Sequence, residues 1–196
     1  DGLVIKYTKS DLRIIKENSK YVFIEVSSGK SWNSFVRYTC KNHLGGIENL
    51  TDIPGNIGGA ITQNIAAYGQ QLSDTFVSCE AINLSTFEKR IFTKSKCNFG
   101  YRNSIFKANK DKYIIVTAVF KLSKNPKINT TYWSKNHGSL MENIKNKKNV
   151  TVDDIRLIIK KMRKNKMPDL KQYGAAGSFF KNPTVDDKNL KKIQEI

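Results

Sequence analysis

Short apolar runs, rich in β-branched and aromatic residues, dominate the first 122 positions of the chain and predict β-strands. The segment 113–122 (YIIVTAVFKL) carries the strongest such pattern. Ser85 and Thr86 separate two of the runs, so those two runs are expected to form a hairpin. The predicted strands cover residues 3–5, 21–26, 75–84, 89–93 and 113–122.

Apolar residues recur at helical spacing in three places. Ser31 is a candidate N-cap for the first helix, which carries Trp32, Phe35, Val36 and Thr39. Two later helices each begin with a capping-box-like pair, with Asp in place of the usual Glu or Gln. Thr151 and Asp154 precede the stripe Ile155, Ile158, Ile159 and Met162, and Thr184 and Asp187 precede Leu190, Ile193 and Ile196. The polar stretch 134–149 between strands and helices is interpreted as a solvated connection. Strands come early and helices late, which predicts an α+β fold.

Length and composition limit the class of protein. The 196 residues suffice for one domain or parts of two, and 39% of them are hydrophobic, enough for a core. Membrane-spanning and signal-like segments are absent from the sequence. Three cysteines without CxxC spacing argue against a disulfide framework or a metal site, so the expected compartment is the cytoplasm. The chain starts at Asp1 and ends within a predicted helix, and we interpret it as a fragment.

The formal net charge of +17 raises the possibility of a basic nucleic-acid-binding module. However, the cations are 28 Lys and only 6 Arg, and 19 Asn accompany them. Arg makes the bidentate contacts to guanine and phosphate that specific nucleic-acid readers favour. The high positive charge is therefore better explained by compositional drift in an AT-rich genome than by a nucleic-acid interface.

Six of the twelve glycines fall between positions 45 and 69. The window contains 53–60 (IPGNIGGA) and 63–69 (QNIAAYG). It lacks the G-K-[ST] ending of a P-loop and the G-x-G-x-x-G spacing of a Rossmann fold. Glycine-rich loops can present successive backbone N–H groups to a pyrophosphate, or can simply join two packed elements. The glycines alone leave both interpretations open.

Two further stretches carry candidate chemistry. Arg102 lies among aromatic and small polar residues in 99–107 (FGYRNSIFK), where it is either a carboxylate or phosphate clamp or an exposed connection residue. Ser178 lies in 174–183 (GAAGSFFKNP), where it either faces a cavity or belongs to a small-residue turn. The G-x-S-x-G elbow of hydrolases is absent around it.

Taken together and in this order, the three stretches resemble the UDP-N-acetylenolpyruvoylglucosamine reductase (MurB) family over nearly the whole chain. The matching motifs are PGxxGG with QN and AYG at 54–69, GYRxSxFK at 100–107 and AGSFFKNP at 176–183. Asn103 and Ala175 depart from the family pattern, which usually has Asp and a polar residue there. The family's upstream pyrophosphate loop and downstream catalytic glutamate have no counterpart in these 196 residues, so we expect them alone to be inactive.

The resemblance implies an FAD-binding domain of the PCMH/vanillyl-alcohol-oxidase-like type over 1–168 and the start of a separate α/β substrate domain over 169–196. It implies an enzyme that uses NADPH to reduce UDP-N-acetylglucosamine enolpyruvate to UDP-N-acetylmuramate for peptidoglycan. In the reaction that the resemblance implies, hydride comes from reduced FAD N5, Arg102 stabilises the enolate, and Ser178 donates the proton. We expect a cytoplasmic monomer.

The other site residues follow from the same resemblance. The residues expected to contact FAD are Ile53, Pro54, Gly55, Asn56, Ile57, Gly58, Gly59, Gln63, Asn64, Ala67, Tyr68, Gly69 and Tyr101. Those expected to meet substrate or nicotinamide phosphates are Tyr132, Arg163, Lys166 and Asn182, although basic residues at a helix end also suit the helix dipole. Two alternatives remain from the residues: a nucleic-acid-binding module, and another FAD-linked oxidase that shares only the glycine loop. A non-catalytic relic is a further alternative.

Overall fold

The computed structural model describes residues 6–130, 133–134, 138–140, 142, 144, 149–166, 172–174 and 181–194. The strands described are β1 (Leu12–Glu17), β2 (Tyr21–Ser27), β3 (Ala66–Ala67), β4 (Gln70–Gln71), β5 (Phe76–Asn83), β6 (Lys89–Thr93), β7 (Tyr113–Ser123), β8 (Trp133–Ser134) and β9 (Gly138–Ser139). The helices described are α1 (Trp32–Lys41), α2 (Ile57–Gln63), α3 (Ile105–Ala108), α4 (Val152–Lys166) and α5 (Asp187–Gln194), with 3-10 turns at Glu48–Leu50 and Leu72–Asp74.

Five strands form one antiparallel sheet in the order β1-β2-β7-β5-β6. The sequence-predicted strands at 21–26, 75–84, 89–93 and 113–122 are confirmed as β2, β5, β6 and β7. The strand predicted at 3–5 lies outside the described residues. The edge strand β1 was missed, because five of its six residues are exposed and its sequence does not alternate.

Alternate residues of β2 (Val22, Ile24 and Val26) point into the core, as the two-residue period of a strand requires. Helix α1 covers this face with Trp32 and Phe35, whose rings meet Phe120 of β7 at centroid distances of 6.1 and 5.2 Å. The indole N–H of Trp32 donates to the Leu50 carbonyl at 2.9 Å, so the buried ring leaves no polar group unsatisfied.

The α1 prediction is confirmed at its start, because the Ser31 hydroxyl accepts from the backbone N–H of Ser34. The Thr151–Asp154 capping box is also confirmed: each side chain accepts from the other's backbone N–H, at 3.0 and 3.1 Å. Helix α4 then packs Ile155 and Ile159 into a second apolar cluster, which the Tyr68 side chain joins.

Two predictions for the later chain were wrong. Leu140 is fully buried in the second cluster, so the stretch 134–149 is not wholly a solvated connection. Helix α5 starts at Asp187, and its N-cap is Asp186, whose carboxylate accepts from the N–H of Asn189 at 2.8 Å, in place of Thr184. Asp is as good an N-cap as Thr or better, and it lies nearer to the apolar residues. Leu190 and Ile193 of this helix are exposed.

Candidate functional site

Tyr101 and Arg102 form the tip of a tight turn between β6 and α3. The flanking Gly100 and Asn103 exchange two backbone hydrogen bonds, of 3.0 and 3.1 Å. Arg102 adopts a left-handed backbone conformation with φ +54°. Such a conformation is uncommon for a long side chain and is held only where the surroundings fix it.

The C-terminal end of α2 fixes this turn in place. The Asn64 side-chain amide donates to the Gly100 carbonyl at 3.0 Å. The Lys107 ammonium donates both to the Arg102 carbonyl at 2.9 Å and to Gln63 Oε1 at 2.8 Å. Two of the sequence motifs, QN at 63–64 and GYR at 100–102, therefore form one connected unit.

A groove of about 380 Å³ runs between this turn and the hairpin β3–β4. Its lining residues are Ala66, Ala67, Tyr68, Gly69, Gln70, Gln71, Asp74, Tyr101 and Arg102. Gly69 forms the tip of the hairpin with φ +77°, a conformation that glycine adopts without strain. Five residues predicted to contact cofactor or substrate thus lie together: Ala67, Tyr68, Gly69, Tyr101 and Arg102.

The two Nη groups of the Arg102 guanidinium differ in their hydrogen bonding. Its Nη2 donates to the Ala66 carbonyl at 2.8 Å. Its Nη1 is buried and makes no hydrogen bond within the described part of the chain. A buried, unsatisfied guanidinium N–H is costly, and an anionic oxygen is the partner it prefers. The groove is therefore suited to a carboxylate, a phosphate or a developing oxyanion.

Lys181 brings the third motif to the same place. Its ammonium lies 5.1 Å from the centre of the Tyr101 ring, and the Arg102 guanidinium carbon lies 5.3 Å from that centre. Both distances fall within cation–π range, and about half of the Tyr101 side chain is exposed. Two cations thus meet one aromatic ring at the groove.

The segment 53–59 lies at the other end of α2, about 9 Å away at the ~1.5 Å rise of a helical residue. Asn56 caps the helix by accepting from the N–H of Gly59 at 2.9 Å. The N–H groups of Ile57 and Gly58 donate to the carbonyls of Lys30 and Ser28, each at 3.0 Å.

The pyrophosphate nest considered from the sequence is therefore not open at the start of α2, because protein carbonyls and Asn56 already occupy its donors. Pro54, Gly55 and Asn56 remain exposed. Gly58 has a packing role, since a Cβ there would meet the Ser28 Cβ at 3.3 Å. Ile53 is partly buried against the main core.

The remaining predicted residues are less well placed. Arg163, on α4, has a buried Nε without a hydrogen-bond partner in the described residues. Asn182 is exposed beside Lys181. Ser178, Tyr132 and the Lys166 side chain lie outside the described part of the structure, so their predicted roles stay predictions.

Sequence reasoning missed Lys107, Lys181, Glu48 and Asn49. Lys107 and Lys181 stand within the quoted motifs, but the sequence around a lysine carries no signal of its long-range contacts. Glu48 and Asn49 occupy an apolar surrounding at 47–50 (IENL) and are completely buried. A charged residue in such a run is the signal that would have found them, because buried carboxylates require specific partners.

Comparison with known proteins agrees with the motif resemblance. Residues 1–86 match the family described as FAD binding domain. The chain is 43% identical to UDP-N-acetylenolpyruvoylglucosamine reductase of Flavobacterium johnsoniae, covering 100% of this chain and 58% of that protein. The protein of the same name from Pseudomonas aeruginosa is 33% identical, with 100% and 57% coverage. The chain therefore spans little more than half the length of these relatives.

The fold has a counterpart among solved structures. The crystal structure of UDP-N-acetylenolpyruvylglucosamine reductase (MurB) from Thermus caldophilus superposes with a TM-score of 0.59 at 20% identity, covering 87% of this chain and 53% of that one. The resemblance to this family and the α+β, FAD-binding-type fold are thus confirmed. Across the described residues, no helix is long and apolar enough to cross a bilayer. No group of three or more potential metal ligands occurs there either.

Proposed function

We propose that this chain, a homologue of the UDP-N-acetylenolpyruvoylglucosamine reductases along its whole length, is the FAD-binding part of such a reductase. The reaction would reduce the enolpyruvyl ether of UDP-N-acetylglucosamine to UDP-N-acetylmuramate, a peptidoglycan precursor, with NADPH as electron source. The observation that carries the proposal is Arg102, which lines the groove with Nη2 bonded to the Ala66 carbonyl and with a buried Nη1 that has no hydrogen-bond partner among the described residues.

The groove residues fit a flavin and its substrate. The hairpin tip at Gly69 and the exposed Tyr101 ring offer backbone and aromatic surface, and the two cations offer charge to phosphate or carboxylate groups. We assign cofactor contacts to 53–56, Gln63, Asn64, 67–69 and Tyr101. Ile57, Gly58 and Gly59 support this surface by holding the start of α2 through the hydrogen bonds described above. When bound, the flavin supplies the hydride that the substrate's β-carbon receives.

Arg102 has the electrostatic role in this proposal. Hydride addition moves negative charge onto the substrate's α-carbon and carboxylate, as an enolate. A guanidinium that is already fixed by its bond to the Ala66 carbonyl needs no reorganisation to stabilise that charge. In this proposal the Nη2 bond orients the guanidinium, and Nη1, which has no partner in the described part of the chain, donates to the oxyanion.

Ser178 is assigned the protonation of the α-carbon. It stands three positions before Lys181, which reaches the Tyr101 ring. A hydroxyl is a weak acid, and it suffices here because the enolate is a strong base. For the phosphates of substrate or nicotinamide we assign Arg163, Lys166, Asn182 and Tyr132. The Arg163 Nε, which is buried and has no hydrogen-bond partner within the described ranges, supports a ligand beside α4.

The test is a visible spectrum of the purified protein that carries this chain. We expect flavin bands that bleach with NADPH and return with the enolpyruvyl substrate. Ser178→Ala should permit the bleaching and slow the return, because only the second half-reaction needs the proton. A protein without flavin bands, or a reduced flavin that the UDP-sugar never reoxidises, would refute the function. Unchanged half-reactions in Ser178→Ala would refute the role of the serine.

A further inference from the structure

A buried polar relay supports the groove from behind. The Glu48 carboxylate is fully buried and accepts two hydrogen bonds: from the backbone N–H of Gly46 at 2.6 Å and from Gln70 Nε2 at 2.7 Å. The other end of the Gln70 amide, Oε1, accepts from the backbone N–H of Asn49 at 2.8 Å. Two side chains thus bridge two fixed backbone donors.

The same cluster holds the hairpin tip by its carbonyls. Asn49 Nδ2 donates to the carbonyls of Tyr68 and Asn129, at 2.7 and 3.0 Å. Asn129 Nδ2 in turn donates to the Gly69 carbonyl at 3.1 Å. The residues 68–70 therefore have one side fixed by side-chain amides, while they also line the groove shared with Arg102.

The polarity of the relay requires a carboxylate. A backbone N–H can only donate, so the two ends of the relay, at Gly46 and Asn49, are both donors. Each amide side chain between them has one acceptor oxygen and one donor NH2 group. Suppose that both bridging side chains were amides. Whichever way each amide were turned, two donors would then face each other at one of the three contacts of the buried relay. A carboxylate at either position removes that mismatch, because it accepts at both ends.

We propose that Glu48 is a positioning residue for the groove: as a carboxylate, it sets the orientation of Gln70 and thereby places residues 68–70 against the cofactor. This inference rests on the proposed function in one respect, namely that the groove holds FAD and substrate. The hairpin also accepts the anchoring bond of Arg102 at Ala66, so displacement of the hairpin would move the guanidinium as well.

The test exchanges the two side chains in the protein that carries this chain. Glu48→Gln creates the donor–donor junction with almost no change in shape. The double variant Glu48→Gln/Gln70→Glu restores a carboxylate in the relay at the other position. We expect the single variant to bind FAD about tenfold more weakly, as for one mismatched buried hydrogen bond, and the double variant to return to within about threefold of the parent. Glu80→Gln, the same change on β5, is the matched control.

Affinity and half-reaction rates are measured at a temperature where every variant is folded. If Glu48→Gln lowers only the melting temperature, with FAD affinity, flavin spectrum and both half-reaction rates unchanged, the positioning role is refuted. If the double variant is as impaired as the single one, the relay is refuted. Should Glu48→Gln not fold, the double variant is still expected to fold and bind FAD, and its failure would contradict the proposal. A parent protein without FAD would instead refute the proposed function, and the urea midpoints of the three proteins would then decide on the relay.

Discussion

The Lys181 ammonium lies 5.1 Å from the centre of the Tyr101 ring. This contact joins two sequence motifs through residues that are 80 positions apart in the chain. The Arg102 guanidinium approaches the same ring. The aromatic ring thus gathers two cations at the mouth of a groove where an anionic substrate is proposed to bind. The attraction of each cation to the ring offsets part of the repulsion between the two cations.

Replacement of Lys181 by Met is expected to raise the KM for the UDP-sugar roughly two- to fivefold, the size of an exposed cation–π contact. The rate of flavin reduction by NADPH should change little. Steady-state kinetics with each substrate varied in turn would check this. Lys181→Arg keeps the charge and should restore the KM, while Lys188→Met, an exposed change on α5, is the control. A KM equally raised in the Lys188 variant would contradict the site-specific interpretation.

Arg102→Lys is expected to lower substrate reduction by roughly a hundredfold or more, the usual loss for one preorganised oxyanion donor. Lysine keeps the charge but cannot both bond the Ala66 carbonyl and present a second N–H in the same plane. Stopped-flow reoxidation of the reduced protein by the enolpyruvyl substrate measures the effect. Near-parental reoxidation in Arg102→Lys would show that charge alone suffices and that the fork geometry is dispensable.

Ser104→Ala is expected to destabilise the protein by about 1–2 kcal/mol. The almost fully buried Ser104 hydroxyl donates to the Thr62 carbonyl at 2.7 Å and caps α3 by accepting from the N–H of Lys107. Urea unfolding gives the free energy directly. Ser104→Thr retains the hydroxyl and serves as the comparison, and an Ala variant as stable as the parent would show that the bond to α2 contributes nothing.

Cys40 predicts a specific loss of stability at high pH. Burial, reinforced by Glu48, raises the pKa of its thiol to about 12, against ~8.5 for a free thiol. The folded state therefore keeps the thiol protonated after the unfolded state has lost its proton. This contribution is complete below pH ~8.5 and is lost as the pH rises toward 12, by up to about 1.4 kcal/mol per pH unit.

The measurement is the free energy of unfolding between pH ~8.5 and ~10.5 in the parent and in Cys40→Ala. The alanine variant starts from a lower stability because it leaves a small cavity, yet its stability should fall less steeply with pH. Parallel curves would contradict the assignment of the effect to Cys40.

The sequence predicted the central strands and the helix caps because those signals are local. Alternating apolar residues in β2 and the reciprocal bonds of Thr151 and Asp154 depend on neighbours a few positions away. The start of α5 was misplaced because Thr184 and Asp186 both offer capping oxygens within two positions, and local pattern does not rank them. The stretch around Leu140 was predicted to be solvated because its residues are mostly polar. Packing against the distant helix α4 nevertheless buries Leu140.

The motifs identified the groove residues, but not how they are held. Arg102 could be singled out by its aromatic and polar neighbours, whereas its bond to Ala66 spans 36 positions. The relay of Glu48 and Gln70 spans 22 positions. Such contacts depend on the closed fold, and the residues around one partner do not specify the other.

The place of β7 in the sheet also governs the order in which the protein can fold. This strand pairs with β2 on one side and β5 on the other, and the 85 residues 28–112 separate β2 from it in the chain. Within the described sheet, β1 is the neighbour that β2 can pair with during synthesis until residue 123 has been made. At ~5–20 residues per second, the hydrogen-bonding edge of β2 that faces β7 stays unpaired for at least several seconds. Folding of the sheet is consequently late and slow, as expected when the central pairing is long-range.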